Sequence, residues 1–109
     1  MDQNIKKQWV EALRSGIYEQ GRYWLRHEDE FCCLGVLCDL HAQATNREWE
    51  VYNDVGIYLG CDEILPSEVV KWAGLDNDDP FIHEQKTSSY NDDKGLDFDQ
   101  MSDLIESNL

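Results

Sequence analysis

The sequence is poor in basic residues: nine Lys and Arg stand against 23 Asp and Glu among 109 residues, giving a formal net charge of -14. Direct nucleic-acid binding requires a basic stripe for phosphate contacts, so this composition argues against it. The sequence also lacks an apolar N-terminal segment and any long apolar run. We therefore predict neither a signal peptide nor a membrane span, and we expect a cytoplasmic protein.

Common catalytic and nucleotide-binding motifs are also missing. The chain contains no Walker loop, dinucleotide fingerprint, nucleophile elbow or HExxH motif. A calcium loop with Gly95 at its sixth position would place Tyr90, Lys94 and Met101 at ligand positions, where none supplies a carboxylate. Nothing singles out one acid pair among so many carboxylates. The sequence thus predicts a protein without a cofactor that is not an enzyme.

One apolar run, Phe31–Leu40 (FCCLGVLCDL), stands out and predicts a buried helix. We expect this helix to follow an Asp29 cap and to extend from about residue 30 to residues 41–44. Gly35 in its middle costs about 1 kcal/mol relative to Ala. The expected compensation is close approach by another element or by an aromatic ring, for which Trp9 and Trp24 are candidates.

The other elements follow from local patterns and together predict an α+β fold, a single compact and mostly helical domain over residues 1–109. A central buried helix packs with a small β-hairpin or sheet in this prediction. The expected elements are a helix over 4–15, a bend and short strand over 17–26, a hairpin over 49–60 around Asn53-Asp54, a helix opening at Pro66 and closing at Gly74, a loop over 76–94, and a helix starting at Phe98 after an Asp97 capping box.

The four cysteines are expected to be free, because disulfides are rare in a reducing compartment. Cys33, Cys38 and His41, with Cys61 further on, supply ligand types suitable for zinc. On a helix, however, Cys33 and Cys38 lie about 140° apart, and no CxxC knuckle is present. We therefore predict no metal, while a small cysteine-rich enzyme or zinc-binding protein remains the alternative hypothesis.

The acidic residues are unevenly distributed. Residues 1–27 carry three acids and five bases, residues 28–75 carry ten and two, and residues 76–109 carry ten and two. Such a one-signed field selects basic surfaces and raises association rates. The predicted partner-binding residues are acids of the C-terminal part: Asp76, Asp78, Asp79, Asp92, Asp93, Asp97, Asp99 and Asp103.

Three stretches resemble a family of small proteins from bacteria and their phages. They are WVEALRSG at 9–16, FCCLGVLCDL at 31–40, and a pair of segments counted as one, LPSEVVKWAGL at 65–75 and NDDKGLDFDQMSDLIE at 91–106. The resemblance implies a phage or mobile-element setting and carries over no activity or site residue. With the charge pattern, it favours an anti-defence or DNA-mimic protein that occupies a basic, nucleic-acid-binding surface of a host protein. A neutral structural interaction module is the third hypothesis.

Overall fold

The computed structural model describes all 109 residues and confirms the α+β fold class. Five helices surround a hydrophobic core of 21 buried residues, and the strands are short. The elements in chain order are α1 (Gln3–Arg14), β1 (Glu19–Gln20), β2 (Arg26–His27), β3 (Glu30–Phe31), α2 (Cys33–Thr45), β4 (Glu50–Tyr52), β5 (Val55–Ile57), α3 (Ser67–Ala73), β6 (Phe81–Ile82), β7 (Gln85–Lys86), α4 (Thr87–Asp92) and α5 (Phe98–Asn108).

Helix α2 is the central buried helix, as predicted, but its start differs from the prediction. Every residue from Phe31 to Cys38 is buried. The N-cap is Cys32, whose thiol accepts from the Gly35 N–H at 3.4 Å, and Asp29 lies instead in the turn between β2 and β3. The helix begins later because Phe31 is held in the sheet, where it pairs with both β1 and β2.

Gly35 is a contact point, as predicted, although its neighbour is main chain and not an aromatic ring. A Cβ at this position would lie 1.7 Å from the Leu25 carbonyl oxygen and 2.7 Å from the Leu25 carbonyl carbon. The same oxygen accepts from the Cys32 N–H at 3.2 Å. Trp9 instead binds two residues earlier, where its indole N–H donates to the Cys33 carbonyl at 2.9 Å. Only glycine therefore lets the chain leading into β2 cross α2 this closely.

The main sheet has five strands in the order β1-β3-β2-β5-β4. The predicted hairpin is confirmed: β4 and β5 pair antiparallel around Asn53 and Asp54, which have φ of 49° and 67°. Two positive φ values fit a type I′ turn, whose twist matches a hairpin. Within the predicted bend and short strand over 17–26, Glu19–Gln20 forms β1 and Arg26 begins β2, which continues to His27.

The C-terminal region contains more structure than the predicted loop over 76–94. Strands β6 and β7 form a two-stranded hairpin, and α4 follows directly, with the Thr87 N–H and hydroxyl both donating to the Pro80 carbonyl. The predicted capping box of α5 is confirmed: the Asp97 carboxylate accepts from the Gln100 N–H at 2.8 Å, and the Gln100 side chain accepts from the Asp97 N–H at 3.0 Å. None of the five helices is long and apolar enough to span a membrane.

Candidate functional site

The predicted C-terminal acids differ in their exposure and in their contacts within the protein. Asp79 is the clearest correction, since it is only 5 % exposed and cannot contribute to a binding face. Its carboxylate accepts from the Ser88 N–H at 3.0 Å and from the Ser88 hydroxyl at 2.5 Å, which ties the loop after α3 to the first turn of α4. Burial of this carboxylate is tolerated because two hydrogen-bond donors take the place of the water molecules that it loses.

Four more members of the predicted set make hydrogen bonds or ion pairs within the protein. Asp92 accepts from the Tyr23 N–H, Asp93 accepts from the Ser89 hydroxyl, Asp97 caps α5, and Asp103 pairs with Arg14 at 2.6 Å. Asp76, Asp78 and Asp99 are exposed and make no side-chain hydrogen bond. Asp76 lines a cleft beside Phe81, whereas Asp99 lines a different cleft beside Arg14. Two of the free acids, Asp76 and Asp99, therefore line different clefts.

The main sheet assembles acids that the sequence analysis did not single out. Its register places five residues in one row across the five strands, and residues paired in this way project from the same face. With the next pair of the hairpin, they form what we call the outer sheet face: Glu19, Glu30, His27, Val55, Tyr52, Ile57 and Glu50. All seven side chains are exposed or half-buried.

Two turns add carboxylates along one end of this sheet. The Glu28 N–H donates to the Asp54 carbonyl at 2.7 Å, so the β2–β3 turn and the β4–β5 turn lie side by side. We call their exposed acids, Glu28, Asp29 and Asp54, the acidic rim. Three carboxylates therefore lie on this five-stranded face, and three more lie in the turns at one end of it. No signal in the sequence predicts this grouping, because it depends on the register of strands two or three residues long.

The opposite face of the sheet is closed by aromatic rings. Phe31 packs edge-on against Tyr18 and Trp49, with ring centroids 5.1 Å and 5.8 Å apart. The Arg26 guanidinium lies over the Phe31 and Trp49 rings, at 5.2 Å and 5.7 Å from their centroids. The one arginine of the sheet therefore lies on the face opposite the outer sheet face, and the one carboxylate near its guanidinium is Asp29 of the acidic rim, at 3.7 Å.

The β4 edge exposes apolar surface beside these acids. Tyr52 is 72 % exposed and Val51 is 62 % exposed, although both lie in a regular strand. The unpaired N–H and C=O groups of a sheet edge can bind an extended peptide as an added strand, and side chains beside the edge then contact alternate residues of that peptide. At the other edge, the Gln20 side chain of β1 hydrogen-bonds to the Asn91 side chain and to the Leu96 carbonyl.

Very few of the acids are neutralised by the protein itself. Only four of the 23 carboxylate side chains lie within 4.0 Å of a basic group: Asp29, Glu68, Asp103 and Glu106. Arg14 binds two of these carboxylates at once, and this pairing raises the pKa of its guanidinium. The remaining carboxylates leave a largely uncompensated negative field around the molecule.

A second polar cluster surrounds His41, which the sequence analysis considered only as a zinc ligand. The Tyr58 hydroxyl lies 2.6 Å from Nδ1, and Nε2 lies 3.1 Å from the Glu68 carboxylate, which also pairs with Arg47. A neutral imidazole protonated at Nε2 satisfies both contacts, since Nδ1 then accepts and Nε2–H donates. Burial lowers the pKa of His41 below its usual 6.5, and the nearby Glu68 carboxylate does not reverse this effect.

This cluster resembles a hydrogen-bonded catalytic relay, but of its three members only Glu68 is open to solvent. Tyr58 is completely buried and His41 is 1 % exposed. None of the five surface clefts is lined by His41, Tyr58 or Glu68. The cluster therefore joins α2, α3 and the segment after β5 as an internal support.

The cysteines lie in the core or at its margin. Cys32, Cys33 and Cys38 are at most 2 % exposed, while Cys61 is half-buried. Burial raises the pKa of all four thiols, that of Cys32 to about 12. A thiol in such surroundings is a poor nucleophile, because the thiolate is the reactive form. No group of three or more His, Cys, Asp and Glu side chains has the arrangement needed to hold a metal ion.

Comparison with known proteins assigns the chain to a family. The family described as "Domain of unknown function (DUF8296)" matches residues 1–109. No curated protein and no solved structure matches the chain. Since the match extends over every residue, the chain belongs to the DUF8296 family.

Proposed function

We propose that this protein is an acidic binding protein that occupies a basic, normally nucleic-acid-binding, surface of a host protein. The observation that carries the proposal is the near absence of internal neutralisation: four of 23 carboxylates have a basic neighbour. A net charge of -14 exceeds the magnitude of about 2 to 8 that serves solubility in a small domain. Such self-repulsion destabilises the folded state, and a basic partner would relieve it.

The proposed setting is the cytoplasm of a bacterial host, with the protein encoded by a phage or mobile element. The resemblance of three of its stretches to small phage and bacterial proteins supports this setting. In that context, occupation of a nucleic-acid-binding surface would act against a host defence protein, and the acids would take the place of phosphates. The field is screened over about 8 Å at physiological ionic strength, so binding should depend strongly on salt.

A binding experiment in two stages tests the proposal. Proteins captured from a bacterial lysate on the immobilised protein are identified by mass spectrometry, and the purified partner is then used to measure association rates at low and high salt. We expect association to slow by about tenfold or more as salt rises, and duplex DNA to compete for the partner. Binding that is indifferent to both salt and DNA would show that the acidity serves only solubility.

A pair of variants controls for charge in this experiment. Combined neutralisation of three sheet acids and three C-terminal acids should slow association with the purified partner. The six substitutions are Glu19→Gln, Glu30→Gln, Glu50→Gln, Asp76→Asn, Asp78→Asn and Asp99→Asn. Neutralising Lys6 and Lys7 to glutamine on α1 changes charge in the opposite direction and should leave association at least as fast.

A further inference from the structure

We infer that the outer sheet face binds an extended, Lys- and Arg-rich segment of the partner, added as a strand along the free edge of β4. This inference rests on the proposed function, because it takes a basic partner as given and specifies the form in which that partner binds. Three independent features of the sheet support it: the unpaired edge of β4, the side chains next to that edge, and the charge around the face.

The backbone of β4 is open for pairing. The two-residue turn of Asn53 and Asp54 makes Tyr52 and Val55 a hydrogen-bonded pair, so the N–H and C=O of Val51 point away from β5. No strand lies on that side, since β4 is the last strand in the sheet order. An added strand would satisfy both Val51 groups and extend the sheet by one strand.

Side chains next to this edge select an alternating sequence. Residues of the added strand opposite Glu50 and Tyr52 would project from the outer sheet face, where the Glu50 carboxylate and the Tyr52 ring can both bind a guanidinium. The residue between them would lie opposite Val51, which is 62 % exposed and apolar. The segment that fits is therefore basic at alternate positions and apolar at the position between.

The amount of charge also favours a short segment over a complete DNA-binding groove. Five strands about 4.8 Å apart span roughly 19 Å, over which duplex DNA would present about eleven phosphate charges. The outer sheet face and the acidic rim together carry six carboxylates, and only Asp29 has a basic neighbour, Arg26 at 3.7 Å. Glu50 lies on β4 itself and Asp54 in the turn that follows it, so these two can pair with Arg or Lys side chains of the added strand, while the other four add to the negative field that attracts it. The C-terminal acids Asp76 and Asp99 line separate clefts and offer no comparable surface.

Nuclear magnetic resonance titration with a synthetic peptide tests this mode of binding. The probe is a short peptide in which Arg alternates with Val, and the control peptide has the same residues with the arginines grouped together. We expect the alternating peptide to bind about tenfold more tightly and to shift the amide signals of β4, β5 and the acidic rim. Equal affinity for the two peptides, or shifts centred on Asp76 and Asp99, would overturn strand addition.

Two variants examine the edge itself. Val51→Pro removes an N–H that points to solvent, a position at which proline is compatible with an edge strand, and it should weaken binding of the alternating peptide about tenfold. Glu50→Lys should weaken binding several-fold, whereas the matched reversal Asp99→Lys on α5 should change it less than twofold. Amide spectra of each variant confirm folding, and Glu50→Lys keeps the test informative should Val51→Pro unfold.

The outcomes separate this inference from the proposed function. Binding by Val51→Pro equal to that of the wild-type protein overturns strand addition, while salt-sensitive, DNA-competed binding of the host partner would still stand. Conversely, failure of the salt and DNA tests overturns the proposed function even where the peptide binds the β4 edge.

Discussion

Replacement of Gly35 by alanine tests the closest approach of neighbouring main chain to any glycine of the protein. Alanine is the better helix former, and on propensity alone the change would stabilise α2 by about 1 kcal/mol. The added Cβ, however, would lie 1.7 Å from the Leu25 carbonyl oxygen, whereas ordinary contacts begin near 3.4 Å. Because the obstacle is main chain, no side-chain rotation can relieve the overlap. We therefore expect the substitution to destabilise the protein.

The magnitude follows from the contacts around the Leu25 carbonyl. Moving this group away from α2 would weaken its hydrogen bond with the Cys32 N–H, a loss of about 1 kcal/mol that roughly cancels the propensity gain. Overpacking costs about 1 to 3 kcal/mol, and a backbone overlap belongs at the upper end of that range. A net loss of about 3 kcal/mol corresponds to a fall of about 13 °C in Tm for a chain of this length.

Urea denaturation gives the free energy of unfolding for Gly35→Ala and two controls. Gly95→Ala makes the same substitution where no atom lies within 4 Å, at a φ of +71°, and should cost about 1 to 2 kcal/mol from backbone strain alone. Ala44→Gly, at an exposed position of α2, should cost about 1 kcal/mol from propensity. A Gly35→Ala protein as stable as the wild type would refute the reasoning.

Three other predictions concern buried groups. The free energy of unfolding should fall as the pH drops below 6.5, because burial lowers the pKa of His41 and the unfolded chain then binds a proton more readily than the folded protein. Urea midpoints measured down to about pH 5.5 should therefore depend less on pH in His41→Gln than in the wild-type protein. Ellman's reagent should modify Cys61 first in the native protein and reach the three thiols of the α2 region only on unfolding. Asn91→Ala should cost about 3 kcal/mol in urea denaturation, because it leaves the buried Cys33 N–H and the Gly21 carbonyl without their partner.

Each of these predictions has a contradicting result. A His41→Gln protein with the pH dependence of the wild type would show that His41 does not titrate differently on folding. Rapid modification of more than one thiol in the native protein would contradict the assigned accessibilities. So would a Cys61→Ser variant that still shows the fast modification, since that reaction is assigned to Cys61. Asn77→Ala is the control for Asn91, since Asn77 is exposed and its side chain accepts only the Asp79 N–H. Equal stability of the two asparagine variants would contradict a central role for Asn91.

The elements that could be predicted from the sequence are those whose signals lie within a few residues. The capping box of α5 joins Asp97 and Gln100, three positions apart, and the turn of the β4–β5 hairpin depends on Asn53 and Asp54 themselves. Helix α1, predicted over 4–15 and observed as Gln3–Arg14, follows from one apolar face and a glycine stop. In each case the stabilising contacts connect near neighbours in the chain, so residue type and spacing suffice.

The start of α2 and the fate of Asp79 required the folded structure. Asp29 satisfies the local rules for a helix cap, but the pairing of Phe31 with two strands keeps that segment in the sheet. Asp79 lies in a run of acidic residues that is typical of a solvated loop, yet it is buried, and the Ser88 N–H and hydroxyl both donate to its carboxylate. In both places a contact between distant residues outweighs a local preference.

The same distinction applies to the proposed binding surface. Net charge is a sum over residues, so the sequence alone determined that the protein is strongly acidic, the property on which the proposal of a basic partner rests. The position of each carboxylate depends on strand register, which places Glu19 beside Glu30 and aligns both with Tyr52 on β4. Strands of two or three residues contain too little pattern to specify their own pairing. Their register is decided by the aromatic core beneath them and by the turns that join them, and these exist only in the tertiary structure.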